Sequence, residues 1–115
     1  MSDELKADCY SLITHHSSLK NGDALDLDLR GVVEQFERAL RNVLEVVREA
    51  GGAPGGVARL VVYVTDKREY LTRTAEIGER WRALMGRHYP AMSLVEVKSL
   101  LDDAAKVEIE GVAVL

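Results

Sequence analysis

The feature that most constrains the fold of this chain is a short strand that is apolar on both of its faces. The segment Leu60-Val61-Val62-Tyr63-Val64 carries apolar side chains at odd and at even positions. Because successive side chains of a strand point to opposite sides of a sheet, both sides of this strand need to be covered. A layer of structure is therefore required on each face of the sheet that contains it.

Two amphipathic helices can supply one of these layers. The first is expected to follow Asp28, a residue type that caps helices well, and to end at Gly51-Gly52, where a left-handed C-terminal cap is easiest. The second is expected to be capped by Thr65-Asp66 and to run until Pro90 stops it. Apolar residues recur at helical spacing in the first helix at Val33, Phe36, Leu40, Val43, Leu44 and Val47. The stripe of the second helix consists of Tyr70, Thr74, Ile77, Trp81 and Leu84.

Strand-forming residues also occupy 9–14, 93–100 and 106–115, which gives the order strand, helix, strand, helix, strand, strand. Two helices can cover one face of a four-stranded sheet, but they cannot cover the other. An exposed apolar sheet face of that size is unusual in a monomer. We therefore expect an α+β domain whose second sheet face packs against other copies of the chain.

The composition is that of one ordinary globular domain over residues 1–115. Hydrophobic residues make up 47% of the chain and charged residues 30%. The net charge of −4 argues against a nucleic-acid partner, and no apolar run reaches the roughly 18 residues that a membrane span needs. The lone Cys9 and an N-terminus without the apolar core of a signal peptide predict a cytoplasmic protein.

The sequence contains no nucleotide-binding, zinc-binding or nucleophile-elbow motif. The glycine-rich segment 51–56 follows a helix, whereas a phosphate-binding loop follows a strand, so a cap and a turn explain it. His15 and His16 are adjacent and would point to opposite faces of a strand, which prevents both from serving one site without a turn. We predict no metal and no cofactor, and a position at a strand end or in a loop explains the two histidines most simply.

The last two predicted strands are where we expect chemistry. On the final strand Lys106, Glu108 and Glu110 share one parity, and Val107 and Ile109 share the other. If the apolar pair faces the helices, two carboxylates lie on the face that we expect to meet another subunit. A carboxylate there is costly unless it is paired, solvated or used in a site. Two explanations of these carboxylates remain open, a functional site and an ion pair with a basic residue across the interface.

The same region resembles a known family. The segment Pro90-Ala-Met-Ser-Leu-Val-Glu-Val97, followed by Val107-Glu-Ile-Glu-Gly-Val-Ala113, resembles the C-terminal signature of the Rid family. These reactive intermediate/imine deaminases are also called the YjgF or L-PSP family. Val61-Val-Tyr-Val-Thr-Asp66 resembles the strand end that precedes the second helix in that family. The resemblance extends over about residues 30–115.

The resemblance implies a chorismate-mutase-like α+β fold with two helices on one face of a mixed sheet. It also implies a homotrimer whose sheets line a central barrel, with small-molecule clefts between subunits. Family members hydrolyse imines and enamines to a keto acid and ammonia without metal or cofactor. An arginine binds the substrate carboxylate, and a glutamate positions or activates the attacking water.

Transferred residue by residue, the resemblance assigns the water-handling glutamate to Glu108 and substrate-contacting positions to Met92, Ser93 and Thr74. A Ser-Gly pair of the family falls on His15 and His16, so His15 is a candidate to polarise or protonate the substrate and His16 to contact it. The family's carboxylate-binding arginine is replaced by Met92, which has neither a charge nor a donor. The family's first strand is shortened in this chain.

These assignments imply a small-molecule protein, and we expect an atypical imine or enamine deaminase, aminomuconate-like, or a related hydrolase. Met92 favours a less charged or more apolar ligand than an amino-acid-derived imine. The alternative is a non-catalytic trimer that binds or senses a metabolite, because most substrate-contacting positions differ from the family pattern. Ribonuclease activity, suggested by the older family name, is the least favoured because the chain is acidic.

Overall fold

The computed structural model of this protein describes the backbone of residues 7–10 and the backbone and side chains of residues 31–115. The strands are β1 (Ala7–Tyr10), β2 (Val57–Val64), β3 (Ala91–Glu96) and β4 (Val107–Val114). The helices are α1 (Val32–Glu49), α2 (Lys67–Thr72) and α3 (Thr74–Met85), and a 3-10 turn at Pro54–Gly56 leads into β2. The α+β fold class expected from the sequence is confirmed.

The described strands form one mixed sheet in the order β1-β4-β2-β3. β2 and β3 are parallel because α2 and α3 form the crossover between them, whereas β4 pairs antiparallel with both β1 and β2. The last two strands therefore do not pair with each other, since β2 lies between them. Within the described chain β3 is an edge strand.

The hydrophobic core lies between the sheet and the helices α1 and α3. The predicted stripe of α1 is confirmed, since each of its six apolar residues is fully buried. From the sheet, alternate residues enter the same core, among them Leu60, Val62, Val107 and Ile109. The intervening residues point to the opposite side, which we call the open face. The open face includes Arg59, Val61, Tyr63, Ser93, Val95, Glu108 and Glu110.

The second helix differs from its prediction, because it is split at Arg73 and ends at Gly86 instead of continuing to Pro90. Two hydroxyls flank the break. Thr72 Oγ1 donates to the carbonyl of Glu69 at 2.8 Å and Thr74 Oγ1 donates to that of Leu71 at 3.4 Å. Such side-chain bonds to the preceding turn bend helices. Gly86 then adopts a φ of 64°, which ends α3.

Several element boundaries also differ from the sequence prediction. β1 occupies residues 7–10, whereas a strand was predicted over 9–14, and β3 ends at Glu96, four residues earlier than expected. α1 begins at Val32 after Gly31, which makes no side-chain cap. The predicted cap Asp28 lies outside the described residues.

A buried glutamine connects α1 to the loop before β4. The side chain of Gln35 is 6% exposed, donates from Nε2 to the carbonyl of Ala104 at 3.1 Å and accepts from the backbone N–H of Lys106 at 2.7 Å. Both backbone groups would otherwise be costly to bury. Gln35 thereby fixes where β4 begins and which of its residues face the helices.

Candidate functional site

The two carboxylates of β4 lie on the open face, as the alternation of the sequence predicted. Val107 and Ile109 are buried under the helices, whereas Glu108 and Glu110 are half-buried on the other side. None of the described helices is long and apolar enough to span a membrane. The described residues also bring no three histidine, cysteine or acidic side chains close enough to hold a metal ion.

Tyr63 is a member of this surface that sequence reasoning did not single out. It lies directly opposite Glu108 in the β2–β4 register, and its hydroxyl donates to Glu110 Oε1 at 2.8 Å. That hydrogen bond raises the pKa of the phenol, and desolvation and the negative charges of Glu110 and Glu108 act in the same direction. Tyr63 is therefore a proton-bearing group beside two carboxylates. Its parity in β2, shared with Val61, is the signal that could have found it.

Ser93 shares the open face but not the immediate neighbourhood of Glu108. In the parallel register Ser93 lies beside Val61, and Val95 lies beside Tyr63. Because β2 separates β3 from β4, Ser93 and Glu108 are two strands apart and offset by two residues, about 12 Å by the spacing of strands and residues in a sheet. A ligand of modest size could contact both from above β2.

Met92 points the other way. It pairs with Leu60, whose side chain is in the core, so Met92 lies on the helix side of the edge strand and is 45% exposed. There it lines a cavity of about 210 Å³ between α3, α1 and the start of β3. Thr74, a second predicted contact residue, lines the same cavity. The structure therefore brings Met92 and Thr74 together and separates both from Glu108.

The walls of this space, which we call the α3 cavity, are mainly aromatic and apolar. Phe36 and Tyr70 meet edge to face with ring centroids 6.2 Å apart, and Trp81 and Tyr89 are stacked with an angle of 9° between their planes. Burial raises the pKa of Tyr70, which keeps its hydroxyl neutral. The lining residues are Phe36, Tyr70, Thr74, Ile77, Gly78, Trp81, Arg82, Tyr89, Pro90 and Met92.

One face of α3 contributes half of the lining. Thr74, Ile77, Gly78, Trp81 and Arg82 follow the i, i+3, i+4, i+7, i+8 spacing that places residues on one side of a helix. Sequence analysis identified part of this stripe as core but missed Gly78 and Arg82. The spacing itself was the available signal, since a glycine and an arginine interrupt an otherwise apolar stripe.

The predicted site residues thus fall into two groups on opposite sides of the sheet. Glu108 and Ser93 are on the open face, and Met92 and Thr74 are at the α3 cavity. His15 and His16 lie outside the described residues, so the roles predicted for them stay predictions.

Comparison with known proteins identifies relatives over most of the chain. The sequence profile of the family described as endoribonuclease L-PSP matches residues 21–115. The 2-iminobutanoate/2-iminopropanoate deaminase of Escherichia coli strain K12 is 34% identical over 86 residues, which is 72% of this chain and 63% of that protein. The chain thus spans less than two thirds of the length of this relative.

Solved structures agree with the sequence match. A member of the highly conserved YjgF/YER057c/UK114 family from Mycobacterium tuberculosis has a TM-score of 0.63 and 32% identity, covering 75% of this chain and 70% of that one. The structure of E. coli TdcF with bound serine has a TM-score of 0.61 and 34% identity, covering 73% and 65%. The similarity therefore holds at the level of both sequence and fold.

Proposed function

The chain belongs to the endoribonuclease L-PSP family, which includes the Rid and YjgF proteins, and from this we propose that it is an imine or enamine deaminase in which Glu108 handles the attacking water. The family profile covers residues 21–115, and a relative named as an iminobutanoate/iminopropanoate deaminase is 34% identical. The ring-cleavage imines and enamines of the aminomuconate type are among the substrates that we propose to test.

The observation that carries the proposal is the position of Glu108. Its side chain leaves β4 on the open face, directly opposite Tyr63 and next to a second carboxylate. A carboxylate is a suitable general base for water, and the hydroxyl of Tyr63 donates its single proton to the neighbouring Glu110, which fixes that side chain beside Glu108. Both groups lie on regular strands, which hold them more rigidly than loops would.

The proposed reaction is a hydrolysis. Glu108 accepts a proton from water while the oxygen attacks the carbon of the C=N bond, and the nitrogen gains a proton. Collapse of the resulting carbinolamine forms the C=O bond, breaks the C–N bond and releases ammonia. An enamine enters the same path after it tautomerises to the imine. Atoms and protons balance without a metal or an oxidant.

We also propose that the complete site lies between two copies of the chain. Within one protomer Glu108 and Met92 leave opposite faces of the sheet, with β2 between their strands. A small substrate cannot contact both at once in that arrangement. A neighbouring copy that presents its open face at the edge strand β3 would bring its Glu108 towards the α3 cavity. This arrangement agrees with the intersubunit clefts and the homotrimer that the resemblance implies.

The catalytic proposal is tested by replacing Glu108 with glutamine. Small imines and enamines are generated in solution, and the release of keto product is measured above the spontaneous rate. Because a general base contributes typically a hundredfold or more, Glu108→Gln is expected to lower kcat by roughly a hundredfold. Unchanged turnover would rule out Glu108 as the group that activates water.

Glu110→Gln is the matched control. It makes the same change two residues along the same face, and the glutamine carbonyl can still accept the hydrogen bond from Tyr63. We expect this variant to keep a rate close to that of the wild type. An equal loss in both variants would indicate a general effect of charge on the open face instead of a specific role of Glu108.

A second function, binding of a metabolite without turnover, is favoured by one observation. By the family resemblance, Met92 falls at the position of the carboxylate-binding arginine, and a methionine cannot make a charge-assisted bond worth roughly 1.5–3 kcal/mol. Under this alternative a metabolite panel yields no product but raises the melting temperature with ligand concentration. A melting temperature that stays constant across the panel would contradict it.

A further inference from the structure

We propose that the α3 cavity binds a small aromatic carboxylate, with its ring against the aromatic wall and its carboxylate on Arg82. The inference rests on the proposed function for taking this cavity as the substrate side of the site. It goes further by assigning a substrate class and a carboxylate-binding residue. Its test measures the binding of stable acids and not turnover. The inference can therefore fail while the proposed catalysis stands, and the proposed catalysis can fail while the inference stands.

The size and the chemistry of the cavity indicate a single ring. A cavity of about 150 Å³ with apolar walls is enough to hold benzene, and the α3 cavity measures about 210 Å³. The space beyond the ring suits a short acid arm. The cavity as a whole is smaller than the roughly 300 Å³ or more of pockets for drug-sized ligands. Phe36, Tyr70, Trp81 and Tyr89 supply faces and edges for stacking.

Arg82 is the charged residue in the lining of this cavity. Two other arginines of the α2–α3 region are held by carboxylates, because Arg73 pairs with Glu76 and Arg80 pairs with Glu37. Among the described residues no carboxylate pairs with Arg82, which is exposed. Its guanidinium is therefore available to a ligand anion, and arginine binds a planar carboxylate through two parallel hydrogen bonds.

Gly78 lies beneath this guanidinium on the cavity-lining face of α3. A glycine inside a helix costs roughly 1 kcal/mol relative to alanine. The atom Arg82 Nη1 lies over Gly78, and the methyl group of an alanine at this position would be 3.4 Å from it. That distance is an ordinary van der Waals contact, so the glycine widens the space beside the arginine without determining where the arginine lies.

Met92 and Arg82 offer complementary contacts to such a ligand. Met92 on β3 offers a polarisable thioether, which makes favourable contacts with aromatic rings. Arg82 on α3 offers the positive charge that Met92 lacks, from another wall of the cavity. We infer that the ligand lies with its ring towards β3 and its carboxylate towards α3. Specificity then shifts from aliphatic imino acids to aromatic or aryl-alkyl acids.

Phenylacetate and its neutral isostere phenylacetamide are the probes. The single tryptophan of the chain, Trp81, lines the cavity, so its fluorescence and its indole N–H signal in NMR spectra report on occupancy. We expect phenylacetate to perturb both signals in a saturable manner and to bind at least tenfold more tightly than phenylacetamide. Equal affinities of the acid and the amide, or no saturable binding of the acid, would overturn the proposal.

Substitutions assign the charge and the space separately. Arg82→Gln is expected to lower the affinity for phenylacetate at least tenfold and to leave the affinity for phenylacetamide unchanged. Arg68→Gln is the control, because Arg68 is on α2 and outside the lining, and it should alter neither affinity. Gly78→Leu fills the cavity at a position where leucine favours the helix, so binding of both probes should disappear while the protein stays folded. Wild-type affinity in Arg82→Gln or in Gly78→Leu would contradict the assignment.

A Glu108→Gln variant separates this inference from the catalytic proposal. It should still bind phenylacetate in a saturable manner that depends on Arg82, even where it has lost turnover. Deaminase activity that depends on Glu108, combined with no phenylacetate binding, would refute the aromatic-acid inference alone. Phenylacetate binding that depends on Arg82, without any turnover, would refute the catalytic proposal alone.

Discussion

Gly111 shows how tightly single residues are fitted between β4 and the core. A methyl group at this position would lie 2.7 Å from Leu60 Cδ2 and 3.2 Å from the carbonyl oxygen of Arg59. Leu60 is fully buried and has little room to move. The glycine therefore permits β4 to approach β2 closely, on the same strand that carries the proposed catalytic Glu108.

Gly111→Ala is predicted to lower the free energy of unfolding by about 1–3 kcal/mol, the usual cost of an extra carbon in a packed core. Chemical denaturation measures the effect. Gly55→Ala is the matched control, because no atom lies within 4 Å of a methyl group at that position. An alanine at 111 that is tolerated as well as one at 55 would mean that β4 can shift away from Leu60.

At the scale of elements, α1 and α3 are joined by charges as well as by apolar packing. Glu37 on α1 accepts from Arg80 on α3 and, at 2.9 Å, from Arg41 one turn along its own helix. Burial alone would raise the pKa of Glu37, but the hydrogen bonds from the two guanidinium groups outweigh it and lower the pKa below its usual range. This contact holds the helix that carries Arg82 against the helix that carries Phe36.

The lowered pKa makes the contribution of Glu37 dependent on pH. A carboxyl whose pKa is lower in the folded state stabilises the protein above its ordinary pKa of 4.5, and that contribution disappears as the pH falls through the folded-state value. Glu37→Gln should therefore be less stable than the wild type at pH 7, by less than about 1 kcal/mol because the partners are partly exposed.

The difference between the two proteins should shrink below about pH 4.5. Denaturation at a series of pH values tests this, with Glu45→Gln on the exposed side of α1 as the control. A difference that stays constant from pH 7 to the acid range would exclude the ion pairs as its source.

At the scale of the whole molecule, the open face is the surface of the sheet that none of the described helices covers. It carries Val61, Tyr63 and Val95, which are all at least partly exposed, and the side chain of Val95 is 43% exposed. Contiguous apolar surface of this kind marks interaction sites. A second copy is the occupant that we propose, in keeping with the homotrimer implied by the family resemblance.

Sedimentation of the wild-type chain is expected to give a trimer, and Val95→Lys is expected to shift it towards monomers because a buried, unpaired ammonium is costly. Leu71→Lys is the control, since Leu71 is 59% exposed on α2 and away from the open face. A wild-type protein that sediments as a monomer on dilution would refute both the trimer and the shared site.

Local patterns in the sequence were sufficient for the elements and for the direction of many side chains. The helical stripe from Val33 to Val47 and the alternation of Val107, Glu108 and Ile109 were both correct. They succeed because helical and strand periodicity fix which side of an element a residue occupies, independently of the rest of the chain. The sequence resemblance correctly indicated the family for the same region.

Contacts between distant segments were decided only by the tertiary structure. The pairing of Met92 with Leu60 and of Glu108 with Tyr63 puts Met92 and Glu108 on opposite faces, and β2 separates their strands, although their segments are close in sequence. The α3 cavity, with Arg82 over Gly78 and a wall from Phe36 on another helix, likewise depends on how α3 packs. Strand order and helix packing follow from the burial of the whole core, which no local window of sequence contains.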